Sequence, residues 1–439
     1  MTEDIFDRMT AAVDRVQPIH AAGRITEIAG NIIKVSGLSS DARVGDRLRV
    51  IGMELKGEVL RTSGSSLDAM IEGSSEGLGL GTFVSLSRRP IFAPHEGWIG
   101  RVIDPDGIPL DSKPLLPGRH QRQIHTDPPP ASERRQMGAR LSTGFAIFDT
   151  VLPIVRGQRI GLFAGSGVGK STLLGSLAKR VDADVIVIGL VGERGRELRE
   201  FVTKSLGPEG MARSVIVAAT SDRAAQTRRR CPLAATAVAE YFRDQGKQVL
   251  LLMDSVTRFA EAHREVSVAS GEAANLRGHP ASTPAAIAGL CERAGPGLVD
   301  QGDITAIYTV LVSGSDMEEP VADMLRGVLD GHVVLDRTIA ERGRFPAIDV
   351  PRSVSRSLPD AATLAENKLI QKARLYMGTY AQAELMIQAG LYAAGSDAKI
   401  DESITVHEKL EAFIGMQGNQ SAAGSFHLLQ RALTLEGTP

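Results

Sequence analysis

Five runs of this sequence are apolar at nearly every position: QRIGLFA, ADVIVIGLV, RSVIVAAT, QVLLLMD and DITAIYTVLV, between residues 158 and 312. A strand with one wet face alternates polar and apolar residues, whereas a strand apolar on both faces must be covered on both. Segments with helical spacing, such as STLLGSLAKR and LAATAVAEYFRDQ, lie between these runs. Buried strands joined by helices specify an α/β fold, a mostly parallel sheet with helices on each side.

The first run leads directly into FAGSGVGKST, Phe163 to Thr172. A glycine-rich turn that leaves a strand and opens a helix can wrap its backbone N–H groups around phosphates. Gly165, Ser166, Gly167, Val168 and Gly169 are the predicted cradle, and Thr172 closes it. Lys170 would reach the β- and γ-phosphates, and the Ser171 hydroxyl would hold Mg²⁺. The strict motif begins with Gly where this chain has Ala164, which is nearly as small.

Three further segments carry candidate chemistry. LLLMD delivers Asp254 at the end of a buried strand, where a carboxylate would support Mg²⁺ through a water. VIVIGLVGERGRE places Glu193 and Arg194 just past another. Glu193 could orient the attacking water and Arg194 contact phosphate, but spacing alone equally fits a solvated, charged turn. RFPAIDVPRSVSR offers Arg352 and Arg356 for transition-state charge, though spacing alone fits ordinary surface arginines better, and Phe345 for an adenine ring or for the core. The RRR at 228–230 reads as a solvated helix start.

The flanks differ in texture. Ile5, Phe6, Met9, Val13 and Val16 have amphipathic helical spacing, a segment either lying on its own protein or docking a partner. Short Val-, Ile- and Thr-rich runs separated by Gly, Ser and Asp predict a small β-barrel from Gly23 to about Arg88. RVIDPDGIPLD reads as one more hairpin, turning at Asp106-Gly107. HTDPPPASERRQ reads as a linker, and beyond Pro359 the pattern is helical. The division expected is an N-terminal helix at 1–20, a barrel at 21–90, an α/β core with its leading linker at 91–356 and a helical domain at 357–439.

Composition narrows the partners. The net charge is -2, and aromatics are 4% with a single Trp98, so neither bulk charge nor stacking platforms suggest nucleic acid. Cys231 and Cys291 form no metal-ligand spacing and fit a reducing compartment. No apolar run approaches the ~20 residues that span a bilayer. The acidic start MTEDIFDRMT does not resemble a signal peptide, so the chain reads as cytoplasmic.

Six segments together resemble the type III export ATPases, above all the flagellar branch: GQRIGLFAGSGVGKSTLL, GLVGERGRELREF, AEYFRDQGKQVLLLMDSVTRFA, DGHVVLDR, FPAIDVPRSVSR and GLYAAGSDAKIDESI. The likeness runs from about residue 20 to the end, in the family's order. That family is related to the α and β subunits of rotary ATP synthase, which implies a barrel, a RecA-like core and a helical tail. The resemblance makes Glu193 the catalytic glutamate and Arg194 its phosphate-facing neighbour. It makes Lys170 the phosphate-loop lysine and Asp254 the magnesium-supporting aspartate. Arg356 matches an arginine finger that reaches a neighbouring subunit's site, which implies a ring, a homo-hexamer. Phe345 stands where relatives often place Tyr against adenine.

The chain also departs from the family. GEAANLRGHPAS, Gly271 to Ser282, has His279 in place of a usual Tyr and lacks two prolines, in a loop that the resemblance turns toward a central pore. Asp336 replaces a common Ser, and no acidic DELSEED-like run appears in the tail.

The resemblance implies an ATPase energising flagellar protein export, cytoplasmic and peripheral to the inner membrane. Its implied partners are a peripheral-stalk-like regulator at the N-terminal segment, a central coiled-coil stalk, export-gate membrane proteins and chaperone–cargo complexes. A virulence-type secretion ATPase and a rotary synthase subunit are the alternatives. An RNA translocase is less consistent, because residues 23–88 hold Phe83 alone as an aromatic. A catalytically dead ring subunit conflicts with the presence of Lys170, Glu193, Asp254 and Arg356 together.

Overall fold

The computed structural model describes residues 5–6, 9–10, 13, 20–87, 92–312, 317–418 and 421–435. Most of the expected N-terminal helix lies outside these residues. Of its apolar positions, Ile5, Phe6, Met9 and Val13 are described and exposed.

Six strands close into a barrel: β1 (Ala22–Ala29), β2 (Ile32–Ser36), β3 (Arg47–Val50), β4 (Lys56–Thr62), β5 (Ser66–Ile71) and β6 (Phe83–Ser87), in spatial order β1-β2-β5-β4-β3-β6. Alternation puts Ile33, Val35, Leu48, Leu67, Ala69 and Val84 inside, while Lys34 and Arg49 point outward. Gly30, at φ +61°, makes the tight turn from β1 to β2 in the left-handed region that glycine favours.

The core sheet gathers β7 (Val102–Ile103), β8 (Arg159–Ala164), β9 (Val185–Val191), β10 (Ser214–Ala219) and β11 (Val249–Asp254). After the short hairpin of β12 (Ala274–Leu276) and β13 (His279–Pro280), it continues with β14 (Gly295–Pro296), β15 (Asp303–Leu311), β16 (Gly331–Leu335) and β17 (Ile348–Ser355). Its order is β17-β16-β8-β15-β11-β9-β10-β7, parallel from β16 to β7, with antiparallel β17 at one edge and β14 paired to β15. The 101–110 segment does turn back on itself, with Ile103 bridging Pro109. Its strand β7, however, joins the core sheet beside β10 and not the barrel.

Helices cover both faces: α1 (Lys170–Arg180), α2 (Gly195–Glu200), α3 (Ala225–Arg243) and α4 (Val256–Ala269) belong to the core. Three more form the tail, α5 (Leu364–Gln388), α6 (Ala398–Gly415) and α7 (Ala422–Ala432). Helix α5 starts at a capping box in which Thr363 and Glu366 satisfy each other's backbone N–H groups. Asp397 and Ser421 cap α6 and α7. Ile370, Tyr376, Leu410, Phe413 and Leu429 pack in one cluster with Leu174 of α1 and Ile348 of β17, so the tail shares the core's own hydrophobic interior.

The reading of residues 228–230 as a solvated helix start is corrected. Helix α3 begins earlier, at Ala225, and its second turn faces the barrel. Arg229 and Arg230 each pair with Glu58 of β4 at 2.6 Å, and Arg230 also reaches Glu72 at 3.0 Å. Arg47 of β3 completes the cluster with Glu72 and, at 2.9 Å, with Asp106. Burial works to raise the Glu72 carboxyl, but the guanidinium groups of Arg47 and Arg230 overcome it and hold it at about 2. These arginines weld the barrel to the core.

Candidate nucleotide site

Strand order decides which residues can meet. Strands β8, β11 and β9 are parallel, with β15 between the first two, so their C-terminal ends open on one edge of the sheet. That edge is where an open α/β sheet places its ligands.

The phosphate loop spans the end of β8 and the start of α1. Gly167 and Gly169 take φ +79° and +86°, a backbone that side chains rarely adopt, which frees successive N–H groups to face inward. Val168 anchors the loop by burying its side chain, while Ser166, Ser171 and Thr172 stay exposed at the mouth. An exposed helix N-terminus behind a glycine turn suits an anion.

Lys170 contacts Asp254 Oδ1 and lies 3.9 Å from Glu193 Oε1, so the three residues singled out by sequence converge. Asp254 is almost fully buried, and Thr309 of β15 donates to its Oδ1 at 2.7 Å. Glu193 follows β9 and is largely buried. Burial, the Asp254 charge and a hydrogen bond with Glu197 push its carboxyl up to about 7, against an opposing pull from Lys170. The same bond holds Glu197 below the usual carboxylate range.

Arg194, the residue before α2, is mostly exposed and lies 3.8 Å from Glu197. Phe345 is half exposed, its ring 3.2 Å from where a Cβ on Gly169 would stand, so it borders the loop's last glycine. Arg352 lies 3.7 Å from Asp336, on the outward side of β17.

Arg356 is the predicted residue that does not converge. Leu335 at the end of β16 pairs with both Ala164 and Ile348, whereas Gly331 at its start pairs with Ser355. Antiparallel β17 therefore carries Arg356 to the opposite edge of the sheet, a strand length of roughly 17 Å from its own phosphate loop. There it donates to the carbonyls of Leu329 at 3.0 Å and Arg326 at 3.2 Å.

Three contributors escaped the sequence reading. Glu197 sits one helical turn past Glu193, a spacing that could have flagged it. Thr309 was hidden inside an apolar run. Arg258 of α4 follows Asp254 by one turn; its stem packs against Gly192, and its guanidinium, pushed up chiefly by Glu261 at 2.9 Å, also feels Glu193.

The oxygen donors present, a buried carboxylate and a loop hydroxyl, are the hard ligands a magnesium ion takes alongside phosphates. The arrangement can hold a polyphosphate against Lys170 and present Glu193, at a pKa suited to taking a proton near neutrality, to a water beyond it.

Known proteins resemble this chain over nearly its whole length. Residues 144–355 match the nucleotide-binding domain of the ATP synthase alpha/beta family, and residues 362–431 match the T3SS EscN ATPase C-terminal domain. The flagellum-specific ATP synthase of Caulobacter vibrioides is 41% identical, covering 98% of this chain and 99% of that one. The assembled ATPase EscN of the enteropathogenic E. coli type III secretion system superposes with a TM-score of 0.86 at 36% identity, covering 94% of this chain and 100% of that one. EscN in complex with its central stalk EscO gives a TM-score of 0.84 at 37% identity, with the same coverage.

Proposed function

The chain belongs to the flagellum-specific ATP synthase family of type III export ATPases, and from that membership we propose how its residues turn over ATP and what the energy drives. It is an ATP-hydrolysing enzyme that energises type III export. The flagellar form of that export is the reading its relatives' names favour.

In the proposed mechanism, the backbone of residues 165–169 and the start of α1 bind the β- and γ-phosphates. Lys170 leaves Asp254 to bridge them, attracted by the larger negative charge. Ser171 and Asp254 would hold Mg²⁺, which would supply neutralisation of phosphate charge. Asp254 stays oriented by Thr309 as Lys170 departs. Glu193 accepts a hydrogen bond from the attacking water and takes its proton, with Glu197 tuning that carboxyl. As the water's oxygen bonds the γ-phosphorus, the bond to the β,γ-bridging oxygen breaks and ADP leaves; Arg194 faces the γ-phosphate, and the Phe345 ring lies against the base.

Arg356, remote from its own loop, acts on the site of the next subunit. The working form is then a homo-hexameric ring with sites between subunits. The solved relative that carries a central stalk supports a central coiled-coil partner here. A regulator on the N-terminal segment, export-gate proteins and chaperone–cargo complexes complete the proposed assembly at the inner membrane. Among the described residues, no helix is long and apolar enough to cross a membrane.

The observation that carries this reading is the convergence of Lys170, Glu193 and Asp254 at the ends of three parallel strands, with Arg356 a strand length away. The test is phosphate release from ATP measured against protein concentration. Specific activity that climbs with concentration supports sites completed between chains; full activity from a dilute monomer refutes them.

A further inference from the structure

Arg344, Phe345 and Glu411 connect the phosphate loop to the helical domain. The Phe345 ring borders Gly169, and its carbonyl oxygen lies 3.6 Å from a Cβ position on Gly415, at the end of α6. Arg344 turns the other way and is largely buried. It donates to the carbonyl oxygens of Pro346 at 3.1 Å and Ile348 at 2.9 Å, and it meets Glu411 of α6 at 2.6 Å. One guanidinium thus pins the backbone on the far side of Phe345, and one carboxylate of the helical domain pins that guanidinium.

The surroundings make this pair sensitive to movement. A cavity of 190 Å³ separates the 336–351 segment from α5 and α6, lined by Asp336, Asp349, Tyr380 and His407 as well as the pair itself. Tyr380 and His407 stack across α5 and α6 with ring centroids 3.5 Å apart, locking those helices together. The two helices therefore move as a unit, and across the open seam beside them the turn that carries Phe345 is tied by Arg344–Glu411 to α6 and by Arg342–Glu384, at 2.6 Å, to α5. Burial opposes the Arg344 charge, so the guanidinium is held in place by keeping its carboxylate.

We infer that the Arg344–Glu411 pair is a positioning device for the nucleotide base, setting the Phe345 ring at the phosphate loop and coupling base affinity to the position of the helical domain. This rests on the reading that Phe345 lies against the base. Neither Arg344 nor Glu411 touches the reacting phosphates.

The test compares KM and kcat for ATP with the inhibition constant of inorganic tripolyphosphate, which has phosphates and no base. The variants are Phe345→Ala, Glu411→Gln and the double exchange Arg344→Leu with Glu411→Leu, which removes both charges and avoids a stranded guanidinium. All three should raise KM for ATP, roughly tenfold for a lost base contact, with tripolyphosphate inhibition unchanged; the two Glu411 variants should also keep kcat near the parent value. An unchanged KM in the Glu411 variants beside a raised one in Phe345→Ala overturns the positioning role alone. An unchanged KM in Phe345→Ala removes the base seat itself. If KM and tripolyphosphate inhibition weaken together, or if both Glu411 variants fail to give a folded melting transition, the pair is general scaffolding and the inference falls.

Discussion

Lys170 and Asp254 are in contact although 84 residues separate them, and the aspartate oxygen that meets the ammonium also accepts from Thr309. The lysine so placed stabilises a buried carboxylate until a phosphate displaces it. In the proposed mechanism Lys170 clamps the phosphates, so Lys170→Ala should cut turnover by roughly 10³ or more, the scale for losing a transition-state donor. The chain stays folded, because Asp254 keeps the hydrogen bond that Thr309 donates to it. Phosphate-release assays beside a melting curve check both halves; near-parental turnover would remove Lys170 from the mechanism.

In the proposed mechanism Glu193, as the base, carries the pH dependence. Its carboxyl is pushed up to about 7 by burial, by Asp254 and by Glu197, and it must be ionised to accept a proton. The ratio kcat/KM, which reports the free enzyme, should rise with pH through an inflection near 7 and level off above it. Glu197→Gln withdraws one of the raising influences, so the inflection should move to lower pH. Glu193→Gln should abolish steady-state hydrolysis. A flat profile between pH 6 and 8 would count against Glu193 as the base.

The same shift acts on stability. The unfolded carboxyl titrates near 4.5 and the folded one near 7, so between these values the folded chain holds a proton that the unfolded chain has released. This stabilisation is fully present below pH 4.5 and is lost as pH rises through 7. Relative to Glu193→Gln, the parent's melting temperature should therefore fall across that window. Parallel melting curves for the two proteins from pH 4.5 to 7.5 would contradict the assignment.

What could be read from sequence follows from which forces are local. The five strands were legible because burial on both faces leaves no polar position to confuse the pattern. The phosphate loop was legible because its chemistry lies in the backbone of consecutive residues. Strand β17 was obscured because an antiparallel edge strand tolerates Pro351 and alternates buried with exposed positions. The convergence of side chains was legible wherever a strand end delivered a charged one, as at Glu193 and Asp254. Thr309 and Arg230 were not, since their partners, Asp254 and Glu58, lie in distant segments.

That buried arginine cluster yields a stability prediction. Glu58 is 4% exposed and faces both Arg229 and Arg230 at 2.6 Å. Glu58→Gln leaves three guanidinium groups at the barrel–core seam, Arg47, Arg229 and Arg230, with two carboxylates, Glu72 and Asp106. Breaking a buried pair from one side costs about 3–5 kcal/mol. Urea unfolding should register that loss, whereas Lys34→Gln, which breaks an exposed pair with Glu27, should leave the unfolding midpoint nearly unchanged. Equal effects would mean the seam does not depend on these charges.

The placement of Arg356 predicts complementation between chains. In Arg356→Ala every phosphate loop is intact but faces a missing guanidinium; in Lys170→Ala every finger is intact but faces a defective loop. An arginine supplied in trans is typically worth about 10³–10⁵ in rate, so each variant alone should be close to inactive, with nucleotide binding retained in Arg356→Ala. Mixing the two creates some interfaces that join a sound loop from one chain to a sound finger from the other. Phosphate release should then exceed the sum of the separate variants and peak near an equal mixture. If Arg356 instead acted within its own chain, no interface could be repaired and the mixture would be as inactive as its components. A strand length between Arg356 and its own phosphate loop makes repair the expected outcome.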